Sequence, residues 1–98
     1  MKIAIDQQRI AEFCRRHGIR KLALFGSVLR EDFRPDSDVD VLVEFEPETR
    51  IGLIRLAGLE HELSTMLKRK VDLRTPDELS RYFRQEVLKQ AAVQYEQR

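Results

Sequence analysis

Cysteine is nearly missing from this chain: one residue, Cys14, in 98. A lone cysteine excludes an internal disulfide. It stands beside Phe13 among apolar positions of a helical pattern, which predicts buried packing and not a reactive thiol. Long apolar runs are missing too, and none approaches the roughly 20 residues needed to cross a bilayer. The opening Met1-Lys2-Ile3-Ala4-Ile5-Asp6 turns polar at once and shows no signal peptide. A cytoplasmic location is the expectation. Neither His17 nor His61 has a cysteine or histidine partner at zinc-ligand spacing, so no zinc site is expected. Charge of one sign is not in excess, with eighteen basic and seventeen acidic residues for a net charge of +1. That balance argues against general electrostatic nucleic-acid binding, though it is compatible with recognition of one RNA end. Repeats, linkers and low-complexity stretches are absent, and residues 1–98 read as a single domain.

What the chain does have is segregated charge. Asp32, Asp36, Asp38, Asp40, Glu44, Glu46 and Glu48 make its middle acidic. Arg15, Arg16, Arg20 and Lys21 precede that middle; Lys68, Arg69, Lys70 and Arg74 follow it. An acidic centre between basic flanks suits a metal–phosphate site. Ordinary solvated charge explains most of these residues equally well.

Alternating strand and helix patterns predict an α/β domain. Residues 6–17 read as a helix with Asp6 as N-cap, Ile10, Phe13 and Cys14 on one stripe, and Gly18 as stop signal. A first strand over 19–25 leads to a short helix over 27–30 and a turn at Arg34-Pro35-Asp36. The second strand spans 38–45. The main helix spans 52–68, with Leu53, Leu56, Leu59, Leu63 and Leu67 at helical spacing and Ile54 and Met66 widening the face. A third strand spans 69–73. Thr75, Pro76 and Glu78 form a capping signal for a last helical region, which continues or restarts to about Ala92. The expected core is a three-stranded sheet with helices packed on one face and the acidic residues on the other.

The chemistry concentrates at two points. Gly26-Ser27 follows an apolar strand, and ten residues later comes Asp38-Val39-Asp40 at the head of a valine-rich strand. Strand alternation sends Asp38 and Asp40 one way and Val39, Val41 and Val43 the other, into a core. Paired carboxylates repel unless a cation joins them. Mg²⁺, a hard cation, is often held by one or two carboxylates plus substrate phosphates. Gly26 gives a turn with no side chain to obstruct a ligand, and Ser27 adds a hydroxyl and backbone N–H groups at a helix start. Asp72, between Val71 and Leu73, faces away from the core they enter. It reads either as a third carboxylate of the site or as a solvated residue paired with Lys70. Arg30, one helical turn beyond Ser27, either clamps a phosphate or pairs with Asp32 or Asp36. Tyr82, Phe83 and Tyr95 are read as packing residues before base-stacking ones.

The conjunction Gly26-Ser27, ten residues, Asp38-x-Asp40 resembles the minimal nucleotidyltransferases of the DNA polymerase β-like superfamily. Arg30 with Asp32 is similar to the Arg-x-Asp segment of that family, and the resemblance covers nearly the whole chain. It implies a mixed sheet, ATP as donor, and two Mg²⁺ ions held by Asp38, Asp40 and Asp72, with Asp72 helping to activate the incoming hydroxyl. Gly26, Ser27 and Arg30 become the nucleotide-binding residues. It further implies a helical HEPN-type partner, an RNase toxin, which the chain would neutralise by attaching AMP to a tyrosine. Two other readings stand beside it. One is an antitoxin that acts by binding alone; the other is nucleotidyl transfer to a small molecule or RNA end.

Overall fold

The computed structural model describes residues 5–29, 37–79 and 81–97, without the side chains of residues 27, 28, 82 and 83. The first helix, α1 (Gln7–His17), begins where Asp6 accepts hydrogen bonds from the Gln8 and Arg9 amides at 3.0 and 3.3 Å. It ends where Gly18 takes a left-handed φ of 68°. Both ends thus follow from single residues suited to those positions. Its stripe of Ile10, Phe13 and Cys14 is buried, as the spacing predicts.

The strand β1 (Ile19–Phe25) runs into a 3₁₀ turn over Gly26–Leu29, and β2 (Val39–Phe45) returns antiparallel to it. The second helix, α2 (Leu53–Leu67), leads to β3 (Val71–Arg74), which lies parallel to β2 on its far side. A 3₁₀ turn over Pro76–Glu78 precedes α3 (Arg81–Gln90), and β4 (Ala92–Glu96) closes the described chain. The sheet is mixed, in the order β3-β2-β1-β4.

Two expectations need correcting. The sheet has four strands, not three: where a helix was expected to reach Ala92, the chain leaves α3 at Gln90 and pairs antiparallel with β1, Val93 opposite Ala23 and Tyr95 opposite Leu22. The Ala91-Ala92 pair favours a helix locally, but the open edge of β1 offers unpaired backbone groups that outweigh that preference. Nor do all helices share one face. Ile10, Phe13, Leu59 and Leu63 of α1 and α2 pack on Leu22, Leu24, Val39, Val41, Val43, Val71 and Leu73. Val87 of α3, with Leu79 and Ala91, instead covers Phe25 and Leu42 on the opposite face.

Smaller differences follow from the same packing. Leu53 and Ile54 begin α2 and stay 84% and 91% exposed, so they do not join the apolar face assigned to them. The strands start at Val39 and Val71, leaving Asp38, Arg69 and Lys70 just outside. The capping signal at Thr75 is formed, Glu78 accepting from the Thr75 amide at 3.2 Å, but it serves the 3₁₀ turn and not α3 itself.

The open edge of β3 is held from α2. Leu73 donates its backbone N–H to Glu60 Oε2 at 2.8 Å, and Val71 donates to Ser64 Oγ at 3.0 Å. Alternate amides of a strand point to the same edge, and residues four apart share a helix face. The two periodicities meet here, and they lock β3 against the helix with Asp72 between the two anchored amides.

Candidate active site

Asp40 is the centre of the arrangement. In the sheet it pairs with Phe25 of β1 on one side and with Asp72 of β3 on the other. Its neighbours Val39 and Val41, like Val71 and Leu73 beside Asp72, enter the core below α1 and α2. Both carboxylates therefore rise from the opposite face, on strands about 4.8 Å apart. The parallel pairing of β2 and β3 supplies this juxtaposition.

Gly26 follows Phe25 directly and takes a φ of 75°. A Cβ there would collide with Asp40 Oδ2 and stand 3.1 Å from its Cγ. Glycine is needed twice over: for the left-handed backbone and for the space the Asp40 carboxylate fills. The turn that begins at Gly26-Ser27 and the carboxylate of Asp40 thus touch. The Ser27 side chain and the whole of Arg30, with Asp32 and Asp36, lie outside the described residues.

Asp38 precedes β2, with its Oδ2 3.9 Å from Lys70 Nζ. Lys70 therefore meets Asp38 and not Asp72, the partner considered for it. Asp72 is instead gripped by Arg74, two residues on along β3 and on the same face. Arg74 Nε lies 3.2 Å from Oδ1, and its Nη2 donates to Oδ2 at 3.2 Å. That carboxylate, by hydrogen bond first and by charge second, raises the guanidinium pKa above its ordinary value. Arg74 Nη1 also lies 3.6 Å from Glu78. In the sequence Arg74 stands out only as flanking basic charge, and its period-two spacing from Asp72 is the signal for this pair.

Among the described residues, no three His, Cys, Asp or Glu side chains converge as a ready metal cage. The donor chemistry still suits a hard cation. Asp38, Asp40 and Asp72 offer only oxygen, and the missing Cβ at Gly26 leaves the space that the Asp40 carboxylate occupies. Glu44 pairs with Arg20 at 3.2 Å. His17 reaches Glu62 Oε1 at 3.2 Å, and Tyr95 packs against the main core. The side chains of Tyr82 and Phe83 lie outside the described residues. Burial pushes the Cys14 thiol up to about 12, against a lesser lowering effect of Arg15. It has no role in the site.

The pattern of the nucleotidyltransferase domain matches residues 7–94. The chain belongs to the nucleotidyltransferase domain family. A relative from Methanocaldococcus jannaschii, provisionally named a protein adenylyltransferase, is 30% identical over 92 residues, spanning 93% of this chain and 96% of the relative. Protein adenylyltransferase MntA of Thermococcus cleftensis is 40% identical over 62 residues, 63% of this chain and 61% of that protein. Among solved structures, a chain of a toxin–antitoxin crystallised with AMP-PNP superposes with a TM-score of 0.76 over 96% of this nucleotidyltransferase and 76% of that chain. Its identity is 22%, so this likeness is one of fold. No helix of the described residues is long and apolar enough to cross a membrane.

Proposed function

We propose that this nucleotidyltransferase moves AMP from ATP to a hydroxyl of a partner protein, and that the partner is the toxin of a toxin–antitoxin pair, a HEPN-type RNase modified on tyrosine. The observation that carries the transfer chemistry is the position of Asp40, in register with Asp72 and in contact with the turn at Gly26. Protein adenylyltransferases among its relatives and a toxin–antitoxin chain among its structural neighbours support the protein substrate.

In this reading Asp38 and Asp40 hold Mg²⁺, with Asp72 as the third ligand. The bound ions supply charge stabilisation as the α-phosphate is attacked. Gly26 and Ser27 seat the outer phosphates, and the Arg30 guanidinium clamps one of them. Asp72 takes part in accepting the proton of the attacking hydroxyl. A new oxygen–phosphorus bond forms to the tyrosine, the bond between the α-phosphorus and the bridging oxygen breaks, and pyrophosphate leaves.

The competing reading is an antitoxin that neutralises by binding alone. The grip of Arg74 on Asp72 favours it, because that carboxylate is already neutralised. A label-transfer assay separates the two. The protein is incubated with α-labelled ATP and Mg²⁺, with and without the product of the adjacent gene. A folded Asp38→Ala/Asp40→Ala variant serves as control. Label on the partner, absent with the variant, establishes the enzyme and its substrate together. A tightly bound but unlabelled partner, neutralised equally by the variant, leaves binding as the mechanism. Label on RNA or on a small molecule without any partner protein would redirect the substrate assignment.

A further inference from the structure

The least expected feature of the candidate site is a cation already in it. Arg74 approaches both oxygens of Asp72 at 3.2 Å, in the two-pronged geometry that matches a guanidinium to a carboxylate. The arginine is held from behind as well. Glu78 lies 3.6 Å from its Nη1, and Glu78 is itself fixed by the backbone N–H and hydroxyl of Thr75, each at 3.2 Å. The chain of contacts Thr75–Glu78–Arg74–Asp72 joins the first turn after β3 to the acidic face. The anchoring of β3 by Glu60 and Ser64 fixes the backbone on which Asp72 and Arg74 alternate. The fork fixes where the Asp72 oxygens point.

We infer that Arg74 is a positioning residue that competes with a divalent cation for Asp72. This inference rests on the assignment of Asp72 as a metal ligand made above. An oxygen lone pair engaged by a guanidinium is not offered to a metal, so occupation of Asp72 by a cation requires the fork to open at least on one side. Arg74 has somewhere to go when it opens, because Glu78 stands ready to take its charge. Its side chain is 46% exposed, so the movement needs no repacking of the core. The device keeps the acidic face partly neutralised before the metal–nucleotide arrives. With the fork open, the guanidinium remains on the same face as Asp40 and Asp72, where a triphosphate would lie.

The test is metal binding by the full-length, nucleotide-free protein, read from the electron paramagnetic resonance of free Mn²⁺ during a titration. Arg74→Gln is expected to bind Mn²⁺ about fivefold more tightly than the parent, the size set by loss of a half-exposed ion pair. Arg74→Lys keeps the charge and loses the fork, so its affinity should fall between the two. In an Asp72→Asn background, Arg74→Gln should change nothing. Unchanged or weaker binding by Arg74→Gln overturns the inference. So does a gain that persists in the Asp72→Asn background, because it would report only a change in net charge. If no variant binds Mn²⁺ at all, parent included, the metal-site reading itself fails. That outcome is distinct from an ordinary Mn²⁺ site indifferent to residue 74.

Discussion

Gly26→Ala isolates the contact on which the site depends, and Gly18→Ala is its natural control. Both glycines have left-handed backbones, with φ of 75° and 68°. In both, an added Cβ meets the oxygen of one side chain: Asp40 Oδ2 at Gly26, Thr49 Oγ1 at Gly18. Placing an L-residue in that conformation costs roughly 1–2 kcal/mol. For a domain of this size each kcal/mol lowers Tm by about 4–8 °C. Both variants should therefore unfold about 4–16 °C below the parent. Their effects on chemistry should differ. At Gly18 the displaced group is Thr49, in the segment between β2 and α2 and not among the residues assigned to the site. At Gly26 the displaced group is the carboxylate beside Asp72, and a shift of about 1 Å in a reacting arrangement can cost on the order of a hundredfold in rate. The assay is thermal denaturation by circular dichroism together with label transfer, at a temperature where all three proteins are folded. Parent-like transfer by Gly26→Ala would falsify the placement of Asp40 in the machinery. An equal loss in Gly18→Ala would show that strain alone, and not the contact, was responsible.

Two further outcomes follow from the helix and the core. Glu60→Ala removes the acceptor of the Leu73 amide on the β3 edge, for an expected loss of about 1–2 kcal/mol; Glu60→Gln, which keeps an acceptor, should retain most of it, and unchanged urea midpoints for Glu60→Ala would refute the anchoring. The Cys14 thiol, raised from 9.0 to about 12 by burial, keeps its proton in the folded chain where the unfolded chain loses it. Its contribution is therefore complete below pH 9.0 and is lost as pH rises through about 12. Cys14→Ala should flatten the alkaline fall in urea midpoints, and rapid labelling of the native thiol at neutral pH would contradict its burial.

Several elements were legible because one residue decides each. Asp6 and Gly18 bound α1, and the valines of β2 and the paired apolar positions of β3 announce buried strand faces. Gly26 is the most informative case: its place after an apolar strand and ahead of Asp38-x-Asp40 is visible in the chain, and the structure adds the reason no other residue fits. The missed elements share a cause. The segment over 91–96 opens with a helix-favouring alanine pair, and residues 92–96 become a strand only because β1 has an edge to complete. Leu53 and Ile54 keep helical spacing but remain exposed, because helical spacing does not say which turns of a helix meet a neighbour.

Composition and local pattern by themselves determined the α/β class, the family resemblance and the residues that form the acidic face. Those properties depend on neighbours in the chain: caps, strand alternation and a fixed spacer. Only the tertiary structure decided that β3 lies parallel to β2 with Asp72 opposite Asp40, that α3 covers the second face, and that Arg74 occupies Asp72. Strand order, register and ion pairing depend on which edges and side chains meet in space, and a chain whose separate segments each satisfy their local rules does not specify that alone.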